Sequence, residues 1–384
     1  MQESIKIENL GPIKHIELDT IKPFMVLIGP SGSGKSTLMK VLALFRWIFK
    51  KQNIRSYLKH SNISKSPFRL VVKTLISNSG FEEYLTSNTF ICYSISFRSG
   101  LKYSIILKDG KLSYPQGETI PKDDLEFNKV SFISETRNII PLWHSRGAAL
   151  TGAYLGFYFH EVFKDFDKAT DNLKNDLNLN HLGAIFQIKK SQSLKKYTMK
   201  SIDSLYQDLE LKHSSSGAQS SVPISIITNY FSKSFNFNES FNGSVLDDLL
   251  KNDKLTDFQP VKNLGTISKK IFIHIEEPEL SLYPDAQCVL IEQVVDDCFR
   301  KNSNNINLII STHSPYLVNY LNLLIRKFDS TKGGEGFDCN KLEVLSIADG
   351  KANSLMAVNE RVVNATQLSD TINNIYDAYE NLKD

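Results

Sequence analysis

The stretch "LIGPSGSGKSTLMKVL", Leu27–Leu42, decides the fold. An apolar run, Phe24–Ile28, leads into a glycine-rich turn, and an apolar-periodic run follows it. That is the text of a doubly covered strand, a tight turn and a helix. The turn, Gly29-Pro30-Ser31-Gly32-Ser33-Gly34-Lys35-Ser36, matches G-x-x-x-x-G-K-[ST] in full. Glycines let backbone N–H groups turn inward around phosphates, and the helix N-terminus adds its dipole. The expected phosphate contacts are therefore Gly29 to Ser36 with Thr37. Lys35 bridges the β- and γ-phosphates and Ser36 takes Mg²⁺.

Bulk composition narrows the class without naming a partner. The chain has 384 residues, 41% apolar and 23% charged, which is globular and long enough for a large core. A net charge of +3 is too small to imply a polyanion partner, so that argument needs local clusters. Cys92, Cys288, Cys298 and Cys339 show no C-x-x-C spacing and suit a reducing compartment, with Cys288 and Cys298 expected in the core of a helix. The N-terminus lacks signal-peptide regions, and the longest apolar stretch, near Val41–Phe49, is short and holds Arg46. A cytoplasmic protein with no membrane contact is expected.

Working outward, residues 5–18 read as a hairpin turning at Gly11-Pro12, and the helix after the turn is expected to end near Lys51. Residues 90–113 read as antiparallel strands with Asp109-Gly110 as a turn. Strand text also covers 129–134, 184–212, 271–275 and 306–312. Residues 153–178 and 284–300 read as helices, and 232–244, rich in Asn, Ser and Phe, reads as a loop. "LEVLSIADGKANSLM" predicts a strand pair about Asp349-Gly350, and a helix is expected over about 366–383. Parallel-type strands and helices at both ends, with antiparallel text between, predict an α/β fold: a P-loop α/β core with an antiparallel β lobe and a short helical insertion. No sustained heptads accompany it, so no long coiled coil is expected.

Three further motifs carry chemistry. "IFIHIEEPELSLYP" ends an apolar strand in Glu276 and Glu277; the first carboxylate suits the Mg²⁺ shell and the second can polarise an attacking water. The same acids would also suit a helix N-terminus. "LIISTHSP" puts His313 just past a buried strand, within reach of a γ-phosphate or, equally, as a satisfied loop histidine. "HSSSGAQSS", 213–221, is a Ser/Gly turn before a helix, readable as an anion-binding nest or as a linker.

These motifs, in this order, resemble the ATPase heads of the ABC superfamily, in the branch of RecF, the structural-maintenance-of-chromosomes proteins and the overcoming-lysogenization-defect ATPases. The resemblance covers the first 50 residues and about 210–320 well, and the middle loosely. It implies an ABC-type ATPase that binds ATP and Mg²⁺. Glu276 is then the Mg²⁺-side acid, Glu277 the catalytic base, Leu280-Ser281-Leu282 the D-loop and His313 the switch histidine. Ser216 and Gly217 stand at the Ser-Gly positions of the signature motif. Ser31, Ser215 and Ala218 depart from the usual residues. No Q-loop glutamine is evident; "FISETRN" occupies that region, with Glu135 and Arg137 as its candidates. The expected divisions are 1–135 (P-loop and β lobe), 136–210 (insertion) and 211–384 (signature, acids and switch histidine).

The resemblance also implies a head-to-head homodimer, or a higher even oligomer, in which Ser216 and Gly217 of one copy touch nucleotide held by the other. About 70 residues follow His313, too few for the nuclease domain of the lysogenization-defect type, so a separate effector protein, a nuclease or toxin, is expected, as in bacterial anti-phage systems. The alternatives are a RecF-like DNA-repair ATPase without a toxic effector, and a scaffold that binds ATP and hardly hydrolyses it. Two acid-free basic stretches are candidate nucleic-acid contacts or merely solvated faces: eight cations from Arg46 to Lys73 (Arg46, Lys50, Lys51, Arg55, Lys59, Lys65, Arg69, Lys73), and Lys189, Lys190, Lys195, Lys196 and Lys200.

Overall fold

The computed structural model describes residues 1–63, 72–115, 119–145, 157–191, 194–203, 208–250, 267–301, 304–357, 360–368 and 370–382. The first elements are β1 (Gln2–Leu10) and β2 (Ile13–Leu18), antiparallel about the Gly11-Pro12 turn, then β3 (Phe24–Ile28), buried along its whole length. The helix α1 (Lys35–His60) follows, then α2 (Val72–Ser79). Strand β4 (Phe90–Ser96) pairs antiparallel with β1, β5 (Lys102–Lys108) with β4 and β6 (Lys111–Ser113) with β5, giving a five-stranded sheet in the order β2-β1-β4-β5-β6. Next come β7 (Glu126–Ile133), α3 (Ile140–Ser145) and α4 (Phe157–Asp171). A four-stranded antiparallel sheet is built from β8 (Leu177–Leu179), β9 (Ala184–Ser191), β10 (Leu194–Ser201) and β11 (Leu209–Glu210).

The rest of the chain completes the core. It comprises α5 (Ser216–Lys233), α6 (Phe237–Leu250), β12 (Ser268–Glu276), α7 (Pro284–Val295), β13 (Ile306–Thr312), α8 (Pro315–Ser330), β14 (Leu342–Ala348), β15 (Lys351–Ser354) and α9 (Asp370–Glu380). The central sheet runs β15-β14-β3-β13-β12-β7. Its pairings are parallel except at the β15 edge.

Strand alternation explains how this sheet is covered twice. Phe24, Val26 and Ile28 join one cluster with Leu308 and Ile310, against Val222 and Ile226 of α5, Leu290 of α7 and Leu321 of α8. Met25 and Leu27 join the other with Ile309, against Leu38, Leu42 and Phe45 of α1 and Ile7 and Ile91 of the antiparallel sheet. Each such side chain contributes roughly 1.5–3 kcal/mol when fully buried. Phe166 of α4 and Phe186 of β9 belong to the first cluster, so the 136–210 segment packs into the core.

Three local expectations change. The helix expected to stop near Lys51 continues to His60, because Ile54, Tyr57 and Leu58 keep the buried stripe going. The stretch 232–244 is not a loop. Asn236 caps a helix there, its Oδ1 accepting from the N–H groups of Asn238 and Glu239 while its amide donates to Glu239. Phe237, Phe241, Val245 and Leu249 then bury one side of α6 at four-residue spacing. Cys298 is core as expected, but Cys288 is only half-buried. Among the described residues no helix is long and apolar enough to cross a membrane.

Candidate active site

The site lies at the carboxyl end of the central sheet, where consecutive parallel strands hand over to their loops. After β3 comes the Gly29–Ser36 turn. Gly29 has φ 152°, and a Cβ there would run into the Ile347 carbonyl of β14, so the close approach of two backbones requires glycine. Gly34, at φ 107°, caps α1. Lys35 turns back into its own loop, Nζ donating to the carbonyls of Gly29 and Pro30, both at 2.8 Å. Burial holds its ammonium below the usual lysine range, while Glu277 and Glu279 oppose that shift. Thr37 is buried, and Ser31, Gly32 and Ser36 are exposed at the mouth of the turn.

After β12 come the carboxylates. Glu276 is 2% exposed, and neither of its carboxylate oxygens has a well-formed hydrogen bond among the described residues. Ser36 and Glu135 lie against it, and burial with the Glu135 carboxyl pushes its pKa up to about 8. A buried acid without a donor, beside an exposed P-loop serine, is the donor set that a divalent cation fits. Glu277 follows at φ 44°, uncommon for a side chain other than glycine. Its N–H donates to the Ser311 carbonyl at 2.8 Å, and its carboxylate stands 3.6 Å from His313 Nε2. His313 is positioned from behind: Glu279 accepts from the His313 N–H at 2.7 Å and from the Thr312 hydroxyl at 2.8 Å.

The residue that sequence reasoning undervalued is Arg137. It is fully buried and donates to four carbonyls: Nε to Ser220 at 2.8 Å, Nη1 to Ser134 at 3.0 Å and Glu276 at 2.6 Å, and Nη2 to Glu277 at 2.6 Å. Burial lowers its pKa to about 10, although Glu279, Glu276, Glu135 and Glu277 favour the charge. An arginine and an acid, Glu135, in the turn just past the end of β7 were the visible signal. Its partners lie 83 and 140 residues further along the chain.

The 213–221 turn opens α5. Ser215 is the N-cap, its Oγ accepting from the Ala218 N–H at 3.3 Å, and Ser215 and Ser216 are exposed. A Cβ on Gly217 would sit 2.6 Å from the Ser281 carbonyl, so the close approach of these two segments needs glycine there. The Ser220 hydroxyl donates to the Leu280 carbonyl at 2.8 Å. Ser281 itself is at φ 60°. The signature candidate and the D-loop candidate are thus fastened together within one chain.

Residues 159–318 match the AAA ATPase domain family, a span that takes in α5, both carboxylates and His313 but not the P-loop. The chain is an ATPase. The glycine-rich turn follows β3, the two carboxylates close β12, His313 follows β13, and the antiparallel sheet packs over α1. Solved structures similar to this ATPase include an SMC head bound to the C-winged-helix domain of ScpA (11% identity, 93% of this chain and 97% of that chain, TM-score 0.43). Another is the SMC head domain from Thermotoga maritima (10% identity, 92% and 98%, TM-score 0.36). A third is a dimeric post-hydrolysis ATP-binding cassette bound to ADP and phosphate (10% identity, 91% and 96%, TM-score 0.32). A comparison with curated protein sequences gives no significant match.

The fold redistributes both basic stretches. Arg46 is fully buried and binds Glu3, with Nη1 3.1 Å from His274 Nε2, so it is no surface contact. Lys50 is half-buried, and burial brings its pKa down to about 8. Lys65 and Arg69 lie outside the described residues, as does the Lys73 side chain. In the second stretch acids from elsewhere supply what the local sequence lacks: Lys189 pairs with Asp208, Lys195 with Asp167 and Asp171, and Lys196 with Glu210.

Proposed function

We propose that this ATPase is a two-copy switch, in which a pair of heads closes on ATP and separates after hydrolysis. The observation that carries the reading is the exposed start of α5: Ser216 faces solvent while Gly217 and Ser220 anchor it to the D-loop segment. A nest that its own chain leaves open suits a phosphate presented by a second copy. On this reading Gly29 to Thr37 hold the phosphates, Ser36 and Glu276 hold Mg²⁺, Glu277 is the base, and His313 orients the reacting groups. Mg²⁺ supplies charge neutralisation for phosphoryl transfer, and the chain's own residues supply position. Residues 1–135 act as the nucleotide-gripping lobe, 211–384 as the lobe that bears signature and acids, and 136–210 as the insertion between them.

The switch output is a changed surface read by a separate effector, a nuclease or toxin, in anti-phage defence. RecF-like repair without an effector is the second reading, and nucleic acid would touch either form along Lys51, Arg55 and Lys59 of α1. Glu277→Gln keeps shape but removes basicity, so it should bind ATP, stop turning it over and elute as a dimer by light scattering. A Glu277→Gln protein that stays monomeric with saturating Mg·ATP, or hydrolyses ATP at the wild-type rate, would count against the reading. Co-purification of the untagged neighbouring gene products with that ATP-locked form separates defence from repair.

A further inference from the structure

We propose that Arg137 is a positioning residue for hydrolysis, one that locks the Glu277 backbone and the start of α5 into a single unit. The inference rests on the reading of Glu277 as the base. A guanidinium without a well-formed carboxylate bond among the described residues is an expensive thing to bury, and hydrophobic packing would fill the same volume more cheaply. What it provides is a planar fork, and here that fork reaches carbonyls on three segments: Ser134 after β7, Glu276 at the end of β12 with Glu277 just beyond it, and Ser220 on α5.

The Glu277 peptide is the part that needs holding. A φ of 44° persists only when its surroundings over-determine it. The surroundings do so from two sides, since Ser311 accepts from the Glu277 N–H and Arg137 donates to the Glu277 carbonyl. The third limb ties this strained turn to the helix that carries Ser216. Ser220 serves both limbs, its carbonyl accepting from Arg137 and its hydroxyl donating to the Leu280 carbonyl. A displacement of α5 therefore moves the peptide that aims the Glu277 carboxylate. The occupancy seen by Ser216 and the geometry of the base are thus mechanically one variable.

The test uses Arg137→Gln and Arg137→Lys in the full chain, each alone and combined with Glu277→Gln. Affinity for a fluorescent ATP analogue should stay within about twofold, whereas kcat falls on the order of 10²-fold, the usual penalty for a misplaced reacting group. Amide hydrogen exchange without nucleotide should quicken at 276–282 and 216–221 and stay unchanged along α1. In the Glu277→Gln background neither substitution should lower residual turnover further, because its route through the base is already gone. If Arg137→Gln fails to fold, Arg137→Lys carries the test, since it keeps the charge but loses the fork. Wild-type kcat in a folded variant, or faster exchange spread evenly over α1 and β3, would overturn the inference. Should Glu277→Gln itself turn over at full rate, the base assignment falls instead, whatever Arg137 does.

Discussion

Lys35 donates to the carbonyls of Gly29 and Pro30 in its own loop, the turn that would also cradle phosphate oxygens. Lys35→Ala removes charge-assisted bonds worth about 1.5–3 kcal/mol each, so ATP affinity should fall on the order of 10²-fold by calorimetry. Because those contacts are local to one turn, the melting temperature should move little, and undiminished affinity in the folded variant would unseat Lys35. The opposite test of the signature must avoid Gly217. A side chain there strikes the Ser281 carbonyl of its own chain, so any Gly217 variant confounds folding with function. Ser216 is exposed and free of that constraint. At this scale the positions of the contiguous motifs were legible: the Gly29–Ser36 turn, Glu276, Glu277 and His313 stand at the ends of β3, β12 and β13, as the apolar runs before them suggest. Arg137 was not, because its role is written in backbone carbonyls up to 140 residues away, and carbonyls leave no trace in a sequence.

Elements were legible where local chemistry is decisive. The Asp109-Gly110 and Asp349-Gly350 turns, all at positive φ, fold as the sequence predicts, because I′-type hairpin turns demand those residues. Helix α6 is hard to read from sequence because its cap and first turns, Asn236, Asn238, Glu239 and Ser240, have loop-like composition, with Phe237 and Phe241 the only apolar residues between 236 and 244. At the end of α7 a π-helical turn, Asp296–Arg300, buries Asp297, and burial pushes its carboxyl up to about 6. The folded state thus holds a proton there more tightly than the unfolded chain. That stability is complete below the ordinary value of 3.8 and is lost as pH rises through about 6. Asp297→Asn should remove this slope, leaving stability at pH 4 nearly unchanged and raising it at pH 8 by about 2 kcal/mol in urea titrations. Parallel curves for the two proteins from pH 4 to 8 would show that Asp297 does not titrate in this window.

At the scale of the whole molecule, one sheet divides two hydrophobic clusters and separates the tasks. One cluster seats α1, which carries the P-loop lysine, and the other seats α5, which carries Ser216. If a working site needs the P-loop of one copy and Ser216 of another, defects in the two should complement each other. Lys35→Ala disables every site its own P-loop would form. Ser216→Arg, a bulky side chain on an exposed helix start, disables the site it would complete on the partner copy. In a mixed pair both defects fall on the same site, and the second site combines an intact P-loop with an intact signature. Random pairing at equal concentrations makes half the pairs mixed, so the mixture should recover about a quarter of wild-type turnover from two proteins that are each inactive. Heterodimers must be shown directly, by native mass spectrometry of differently tagged chains with ATP. Mixed pairs present with no recovered turnover would mean that Ser216 serves its own chain, and the two-copy switch would have to be replaced by a head that works alone.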